Sequence, residues 1–263
     1  MSRYHNVDFD FAYRIFYPST VYVISSSFGK DSDALSAVWV TPVSLKPPKV
    51  GVVVSPERYT YSLIRKSKLF AVNKLPFRYT EHMAFVGDVS KRYQNNKMEA
   101  SGLHFSEGRT EGLKAIREAE AVVECGVDAI FEAGDHDIIV GKVLEAYATD
   151  AFGAVWDLDA HIYSSYVGSV GEGERAKRIF VSSKGEIVET RWPRTEPVFK
   201  RIREQKAIEQ AALSYRGSDI HVAAKGIAEK LHADPSGVLM ILEEARRQGR
   251  ARVTGRLLPT DFA

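Results

Sequence analysis

Cysteine is almost absent from this sequence, which has a single one, Cys125, among its 263 residues. One cysteine excludes a disulfide framework within the chain and is typical of proteins from a reducing compartment. The longest apolar runs fall far short of the roughly 18 residues that a membrane-spanning helix needs. The first residues, MSRYHNVDFDFAYRIF, lack the apolar stretch of a secretory signal peptide. We therefore expect a cytoplasmic protein with no membrane partner.

A strong net charge and the spacing of metal ligands are also missing. The formal charge of +2 at pH 7 is too small to require a nucleic-acid or membrane partner. The histidines show no H-x-H or H-E-x-x-H spacing, so we expect no metal site. The histidines other than His136 are His5, His82, His104, His161, His221 and His232. Hydrophobic residues make up 44% and charged residues 27%, as in ordinary soluble globular proteins.

Composition changes near residues 195–205, where RWPRTEP carries two prolines. From Lys200 onward the chain has 12 Lys and Arg against 8 Asp and Glu, and its pattern becomes helical. We predict one domain over residues 1–199 and a helical domain over 200–263. Within the first, residues 151–199 contain two strand-like segments and are predicted to be a peripheral extension.

Short strand-like segments dominate the first 150 residues. ALSAVWVTPVSLKPP is predicted to be one strand interrupted at Pro42, and the valine run KVGVVVSP a strand covered on both faces. Other predicted strands are STVYVISSSFG, LFAVNKL, AVVECGV and HDIIVGKVLEAYA, and the predicted short helices are RYTYSLIRKSK and RTEGLKAIREAE. Many strands with brief helices between them indicate a mainly β fold closed into a barrel.

Several motifs occur in an order that resembles a known family. The segment from Ala34 to Leu75 has a small-residue strand, then Trp-Val-Thr-Pro-Val-Ser, a double proline, a valine-rich strand, a short helix and an F-x-V-N strand. KMEASGLHF resembles a Lys-x(5)-Gly-Leu segment, and GDHDIIVGKV a Gly-Asp-His…Gly-x-Val signature. Together these motifs, over residues 12–150, resemble the flavin reductase-like family of FMN-binding split barrels.

The resemblance implies a fold, a cofactor and an activity. It implies an FMN-binding split β-barrel that takes a hydride from NADH or NADPH and passes electrons to free flavin or a protein acceptor. It also implies a homodimer with the flavin near the subunit interface. The sequence departs from the family pattern at Asp33, where an Asn is common, and at Val38, where a Ser or Thr is common.

The residues in these motifs suit a flat ring that carries a phosphate. Small residues in LSAVWVT let backbone amides approach a ring edge, and SPERYT places hydroxyls and a guanidinium at a helix start, where backbone N–H groups can hold a phosphate. Each of these residues taken alone fits a structural role, as a helix cap or core residue, as well as it fits ligand binding. As a group they favour ligand binding. The predicted cofactor-binding residues are Ser36, Ala37, Val38, Trp39, Thr41, Ser55, Arg58, Thr60 and Asn73.

His136 stands between two aspartates immediately before an apolar run. The resemblance implies that it lies near the flavin, where a nicotinamide donor stacks. Hydride transfer needs no protein base, so we predict that His136 positions the donor. The alternative is a strand-entry residue bonded to a neighbouring turn. Cys125 is predicted to be a small buried strand residue rather than a redox group.

The tail allows a second function. IAEKLHADPSGVLMILEEARRQGRARV is similar to the helix-turn-helix of winged-helix DNA-binding domains. A flavin-binding regulator associated with DNA is therefore the alternative to the oxidoreductase. Glu243 and Glu244 in the second helix would oppose phosphates, which favours a helical appendage that packs on the barrel or on a partner subunit.

Overall fold

The computed structural model describes residues 4–171, 176–190 and 219–231, together with residues 208, 235, 236, 238, 239, 242 and 243. The chain divides into two compact units, Met1–Trp192 and Pro193–Ala263. In the described parts of both units, every helix is too short or too polar to cross a bilayer.

The first unit is built mainly of strands. Its described strands are β1 Ser19–Thr20, β2 Tyr22–Phe28, β3 Asp31–Ala37, β4 Val40–Leu45, β5 Pro48–Val54, β6 Leu69–Lys74, β7 Phe105–Glu107, β8 Lys114–Ile116, β9 Ala121–Glu132, β10 Asp137–Ala148, β11 Ser164–Val170, β12 Lys177–Ser182 and β13 Ile187–Thr190. Its α-helices are α1 Tyr59–Ser67, α2 Thr80–Asp88 and α3 Lys97–Ser101, and 3-10 helices span Phe9–Phe16 and Phe77–Tyr79. The predicted mainly β fold is confirmed.

Seven strands form one antiparallel sheet in the order β3-β2-β6-β9-β10-β5-β4. Although β3 and β4 end this order, only Val38 and Trp39 connect them. Three peptide units span at most about 11 Å, so the two edges must lie close together and the sheet must curl on itself. A buried cluster that includes Val52, Ile64 and Phe70 fills part of its interior. Apolar burial of this kind is the main driving force for folding.

The prediction of one strand over ALSAVWVTPVSLKPP was wrong, because this segment forms both β3 and β4. β3 pairs only with β2 in the described sheet, and β4 only with β5. A run of strand-forming residues does not reveal that the chain changes partner within it. Proline 42 lies inside β4, which is an edge strand, where a residue without an N–H is tolerated.

The predicted helix in RTEGLKAIREAE was also wrong. The segment makes a turn and then β8, which pairs with β7. Ile116 is 2% exposed, and its N–H donates to Asn73 Oδ1 at 2.8 Å. Burial and this long-range hydrogen bond outweigh the helix preference of the segment, which is only roughly a few tenths of a kcal/mol per residue.

A second antiparallel sheet has the order β1-β11-β12-β13. It joins the start of the chain to the region 151–190, because Ser19 pairs with Tyr166. Phe180 of β12 is 3% exposed and belongs to the same buried cluster as Val21 and Leu75. The sequence from 164 to 190 therefore contributes apolar side chains to the core of the first unit.

The second unit contains the helix α4, Ile220–Leu231, as the described residues show. Its buried face, which includes Ala224 and Ile227, packs in one cluster with Ile208, Val238 and Leu242. Most of the predicted helical domain lies outside the described residues, including all but Ile208 of the segment FKRIREQKAIEQAALSYRG and all of RARVTGRLL. The winged-helix domain and the DNA-associated alternative therefore stay predictions.

Candidate functional site

Trp39 and His136 meet at one end of the seven-stranded sheet. Trp39 lies between β3 and β4, and its carbonyl accepts a hydrogen bond from Val53 N–H at 3.0 Å. One residue further along β5, Val54 pairs with Asp137, the first residue of β10. The ring centroids of Trp39 and His136 are 5.1 Å apart in an edge-to-face contact. Two predicted site residues that are distant in sequence are thus brought together.

His136 is held in a tight turn before β10. Its carbonyl accepts from Ala133 N–H at 3.1 Å, and Gly134 has φ of +94°, which favours glycine. His136 Nδ1 lies 2.9 Å from Asp135 Oδ1, although the two atoms are not aligned as a hydrogen bond. This proximity holds the pKa of Asp135 below its usual range. The His136 side chain keeps 32% of its surface exposed, so a ligand can reach it.

The start of α1 offers donors for an anion. Arg58 is the N-cap residue and, within the described chain, makes no side-chain hydrogen bond that caps the helix. The free N–H groups of the first turn and the helix dipole favour negative charge at this point. The Arg58 guanidinium donates to Gly87 O, and burial lowers the pKa of Arg58 from its usual value. Ser55 accepts the turn bond from Arg58 N–H at 3.0 Å.

A buried charged cluster lies beside this helix start. Lys97 is 1% exposed, and its Nζ lies 3.2 Å from Asp33 Oδ1 and also donates to Ala34 O. Asp33 is fully buried, and its Oδ2 accepts from Thr60 Oγ1 at 2.7 Å. Burial lowers the pKa of Lys97 to about 8, although the carboxylate of Asp33 acts in the opposite direction. Thus α3 and α1 are both tied to β3.

The Lys97 amine is expected to make the free energy of unfolding rise with pH. Its folded pKa of about 8 is below the ordinary 10.5, so between these values the unfolded chain binds more protons. The stability contributed is full above the unfolded pKa and is lost as the pH falls through the folded pKa. From pH 8 to about 9.5, urea unfolding should show wild type gaining about 2 kcal/mol relative to Lys97→Met.

The control for this measurement is Lys142→Met, which removes an exposed lysine of β10. If the stability difference between wild type and Lys97→Met stays constant over the same pH range, Lys97 does not titrate there and the expectation is wrong.

The other predicted residues are placed in different ways. Ser36 Oγ donates to Met83 O at 2.6 Å, and Thr41 is exposed on β4. Ala37 and Val38 are half-buried around Trp39. Asn73 is fully buried; its Nδ2 donates to Val23 O at 2.8 Å. Since Asn73 Oδ1 also accepts from Ile116, this amide is occupied in joining strands. The cofactor contacts of these residues stay predictions.

Three further residues at the site, Tyr61, Asp137 and Lys97, were not among the predicted site residues. Tyr61 OH donates to Asp137 Oδ2, which joins α1 to the residue after His136. Lys97 was visible as a motif residue, but only its contact with Asp33 links it to α1. Asp137 had a signal as well, because it is a charged residue at the entry of a buried strand. Tyr61 had no such signal in the sequence, since an aromatic residue in a short helix is usually part of the core.

The residues present suit a phosphorylated flavin. Trp39 and His136 offer aromatic surface for a flat ring, and Arg58 with the uncapped start of α1 offers donors for a phosphate. Among the described residues, no group of three His, Cys, Asp or Glu could hold a metal ion. Cys125 is buried in β9, and burial raises the pKa of its thiol to about 12, so it stays protonated at neutral pH.

Comparison with known proteins agrees with this geometry. The flavin reductase like domain matches residues 13–161, which is more than half of the chain. A protein of uncharacterised function from Aeropyrum pernix is 30% identical over 250 residues, covering 90% of this chain and 93% of its own. The reductase component of 4-hydroxyphenylacetate 3-monooxygenase from Thermus thermophilus is 29% identical over 131 residues, covering 49% and 76%.

The fold agrees as well. The crystal structure of an FMN-binding protein from Thermus thermophilus superposes with a TM-score of 0.54 at 21% identity, covering 73% of this chain and 97% of that one. The resemblance predicted from the ordered motifs is therefore confirmed, and with it the prediction of an oxidoreductase. The chain belongs to the flavin reductase-like family.

Proposed function

We propose that this protein binds FMN and transfers a hydride from NADH or NADPH to it, passing the electrons to free flavin or to a protein acceptor. The observation that carries the proposal is the contact between Trp39 and His136, 5.1 Å between ring centroids, at the sheet end where α1 begins. Aromatic surface and an anion-binding helix start then lie on neighbouring elements, as a phosphorylated ring requires.

Arg58, Ser55 and the first-turn N–H groups of α1 hold the phosphate in this proposal. Arg58 is suited to it because a guanidinium makes two parallel hydrogen bonds to phosphate oxygens. Thr60 and Lys97 act from the buried side: Thr60 bonds Asp33, and Lys97 balances its charge. These donors bind a phosphate, which FMN carries and riboflavin lacks, so FMN rather than riboflavin is the proposed cofactor.

The segment Ser36–Trp39 and Thr41 flank the ring in this proposal. Small side chains there leave backbone amides accessible to ring oxygen and nitrogen atoms, and Trp39 covers an edge. When bound, the flavin would supply the two-electron chemistry, while the protein contributes binding and orientation. His136 orients the nicotinamide, since a ring nitrogen can bond a carboxamide and its half-exposed ring faces solvent.

A homodimer is part of the proposal. β4 is an edge strand with Leu45 85% exposed, and the nearby 3-10 helix leaves Phe9 94% and Phe16 80% exposed. Tyr13 of that helix contacts Trp39, with ring centroids 5.9 Å apart. Exposed apolar side chains beside a site are typical of an interface. A second subunit on this surface would lie at the flavin.

Purification with added FMN tests the function directly. We expect a yellow protein whose flavin absorbance is bleached by NADH or NADPH without oxygen. Protein that stays colourless and shows no affinity for FMN would refute the proposal at its first step. Protein that binds FMN but is bleached by neither nucleotide would refute the oxidoreductase while leaving the flavin site intact.

Replacement of His136 by alanine is expected to slow bleaching about tenfold while FMN stays bound, because the donor loses a positioning contact and not the flavin. Stopped-flow absorbance measures the rate, and fluorescence titration measures the FMN dissociation constant. His221→Ala, which removes an exposed histidine of α4, is the control. An unchanged rate in His136→Ala would leave His136 with a structural role only.

A further inference from the structure

Three successive residues of α1 each donate a side-chain hydroxyl to a different aspartate. Tyr59 OH donates to Asp31, and Thr60 Oγ1 donates to Asp33. Both of these acceptors belong to β3. The third donor, Tyr61, reaches Asp137 at the start of β10. These three bonds therefore tie one helix turn to two strands that lie apart in the sheet order.

The Tyr61–Asp137 bond is buried. Tyr61 is 6% exposed and Asp137 is 4% exposed. Arg65, one turn further along α1, donates to Tyr61 OH at 3.3 Å. Burial, first of all, raises the pKa of Tyr61, so its proton stays on the phenol and is donated to the carboxylate. A buried carboxylate that lost this donor would have to move or take up water.

Asp137 is adjacent to His136 in the chain. Asp137 is the first residue of β10 and its side chain is buried, whereas His136 stands in the turn just before the strand and its ring contacts Trp39. The position of Asp137 thus sets where β10 begins and at what angle His136 leaves it. The bond from Ala133 N–H to His136 O closes the turn before it, and the Asp137 side chain adds a constraint from α1.

We propose that Tyr61 is a positioning residue for His136, so that one hydrogen bond joins the phosphate end of the site, on α1, to the donor end, on β10. The proposal rests on the function proposed above. Tyr61 lies three residues after Arg58 on the same helix. A phosphate at the start of α1 would therefore contact the same helix turn that holds Asp137, the residue beside His136.

The matched pair Tyr61→Phe and Tyr59→Phe tests this role. Each variant removes one phenol hydroxyl from α1 and one bond to an aspartate, but only the first reaches β10. In flavin-free protein, we expect the ring NMR resonances of His136, identified by their loss in His136→Ala, to shift in Tyr61→Phe and to stay in place in Tyr59→Phe. Trp39 makes these resonances sensitive, because its ring current acts over the short contact distance.

With FMN bound, Tyr61→Phe is expected to slow bleaching by NADH or NADPH about tenfold, with an FMN dissociation constant within about threefold of wild type. In the His136→Ala background the same change should alter the rate less than about twofold, because the two residues then act as one unit. A general loss of structure would instead slow both backgrounds equally. Thermal unfolding of each variant shows that it is folded.

The outcomes separate the two proposals. An unshifted His136 ring in Tyr61→Phe, or equal rate losses in both backgrounds, overturns the role of Tyr61 while the oxidoreductase stands. A shifted ring in a protein that neither nucleotide bleaches supports the coupling between α1 and β10 and refutes the oxidoreductase. If Tyr61→Phe does not fold, Asp137→Asn is tested instead. The asparagine keeps a weaker hydrogen bond to Tyr61 OH, so the His136 ring resonances should again shift and bleaching should again be slower than in wild type.

Discussion

Replacement of Arg58 by glutamine is expected to weaken FMN binding by about 10- to 100-fold, because hydrogen bonds to a charged group contribute roughly 1.5–3 kcal/mol. Arg58 is the N-cap residue of α1, and in the described chain its side chain makes no hydrogen bond that caps the helix. Glutamine keeps a polar group of similar reach but loses the charge and the paired donors. Fluorescence titration of the apoprotein measures the affinity.

Riboflavin is the internal control for Arg58→Gln. It has the same ring and lacks the phosphate, so its affinity should change less than about threefold if Arg58 acts on the phosphate. Arg65→Gln controls for loss of a guanidinium from the same helix, since Arg65 lies at its far end. Equal losses for FMN and riboflavin would show that Arg58 holds the fold, through its bond to Gly87 O, and not the phosphate.

Replacement of Gly141 by alanine is expected to lower the free energy of unfolding by about 3 kcal/mol or more, since overpacking a core costs this order of energy. A Cβ at Gly141 would lie 2.5 Å from Phe70 Cζ and 2.8 Å from Cys125 Cβ. Phe70 and Cys125 are both fully buried, so neither can move aside cheaply. Urea unfolding at pH 7 gives the difference.

Gly126→Ala is the matched control for Gly141. Gly126 lies on β9 and pairs with Lys142, the neighbour of Gly141, but a Cβ there would come no nearer than 3.4 Å to the flexible Leu144 side chain. Its stability should change by less than about 1 kcal/mol, since alanine in a strand without a clash costs little. A Gly141→Ala variant as stable as Gly126→Ala would show that the core yields at Phe70.

The strands were predictable where composition and burial agree. β5, β6, β9 and β10 are rich in Val, Ile and Phe, and such segments form strands because their side chains fit a pleated, half-buried surface. The helix α1 was predicted too, in the segment RYTYSLIRKSK, which begins just after Pro56. These are local properties that depend on neighbours in the chain.

The errors arose where a distant partner decides the structure. β8 reads as a helix in isolation, yet Ile116 is held by Asn73 and by burial. The separation of β3 from β4 depends on where the sheet closes, and a short stretch of sequence carries no information about that position. α2 was not predicted either, although its Met83 and Val86 are fully buried.

The same division applies to the candidate site. Trp39 and His136 were identified from the ordered motifs and Arg58 from its place at a helix start, but their distances from one another were not predicted. Tyr61 had no signal in the sequence, because its role depends on an aspartate 76 residues away. Gly141 was visible in the sequence as a motif glycine. The reason that a side chain is excluded there is that Phe70 fills the space, and this contact exists only in the folded core.

Motif order and strand-forming composition were enough to assign the family and the mainly β class, since each is a property of residue type or near neighbours. Folding alone decided which strands pair, that Trp39 contacts His136, and that Lys97 is buried against Asp33. The physical reason is that burial, close packing and charge pairing act between residues that are near in space. Their energies appear only when the sheet has closed.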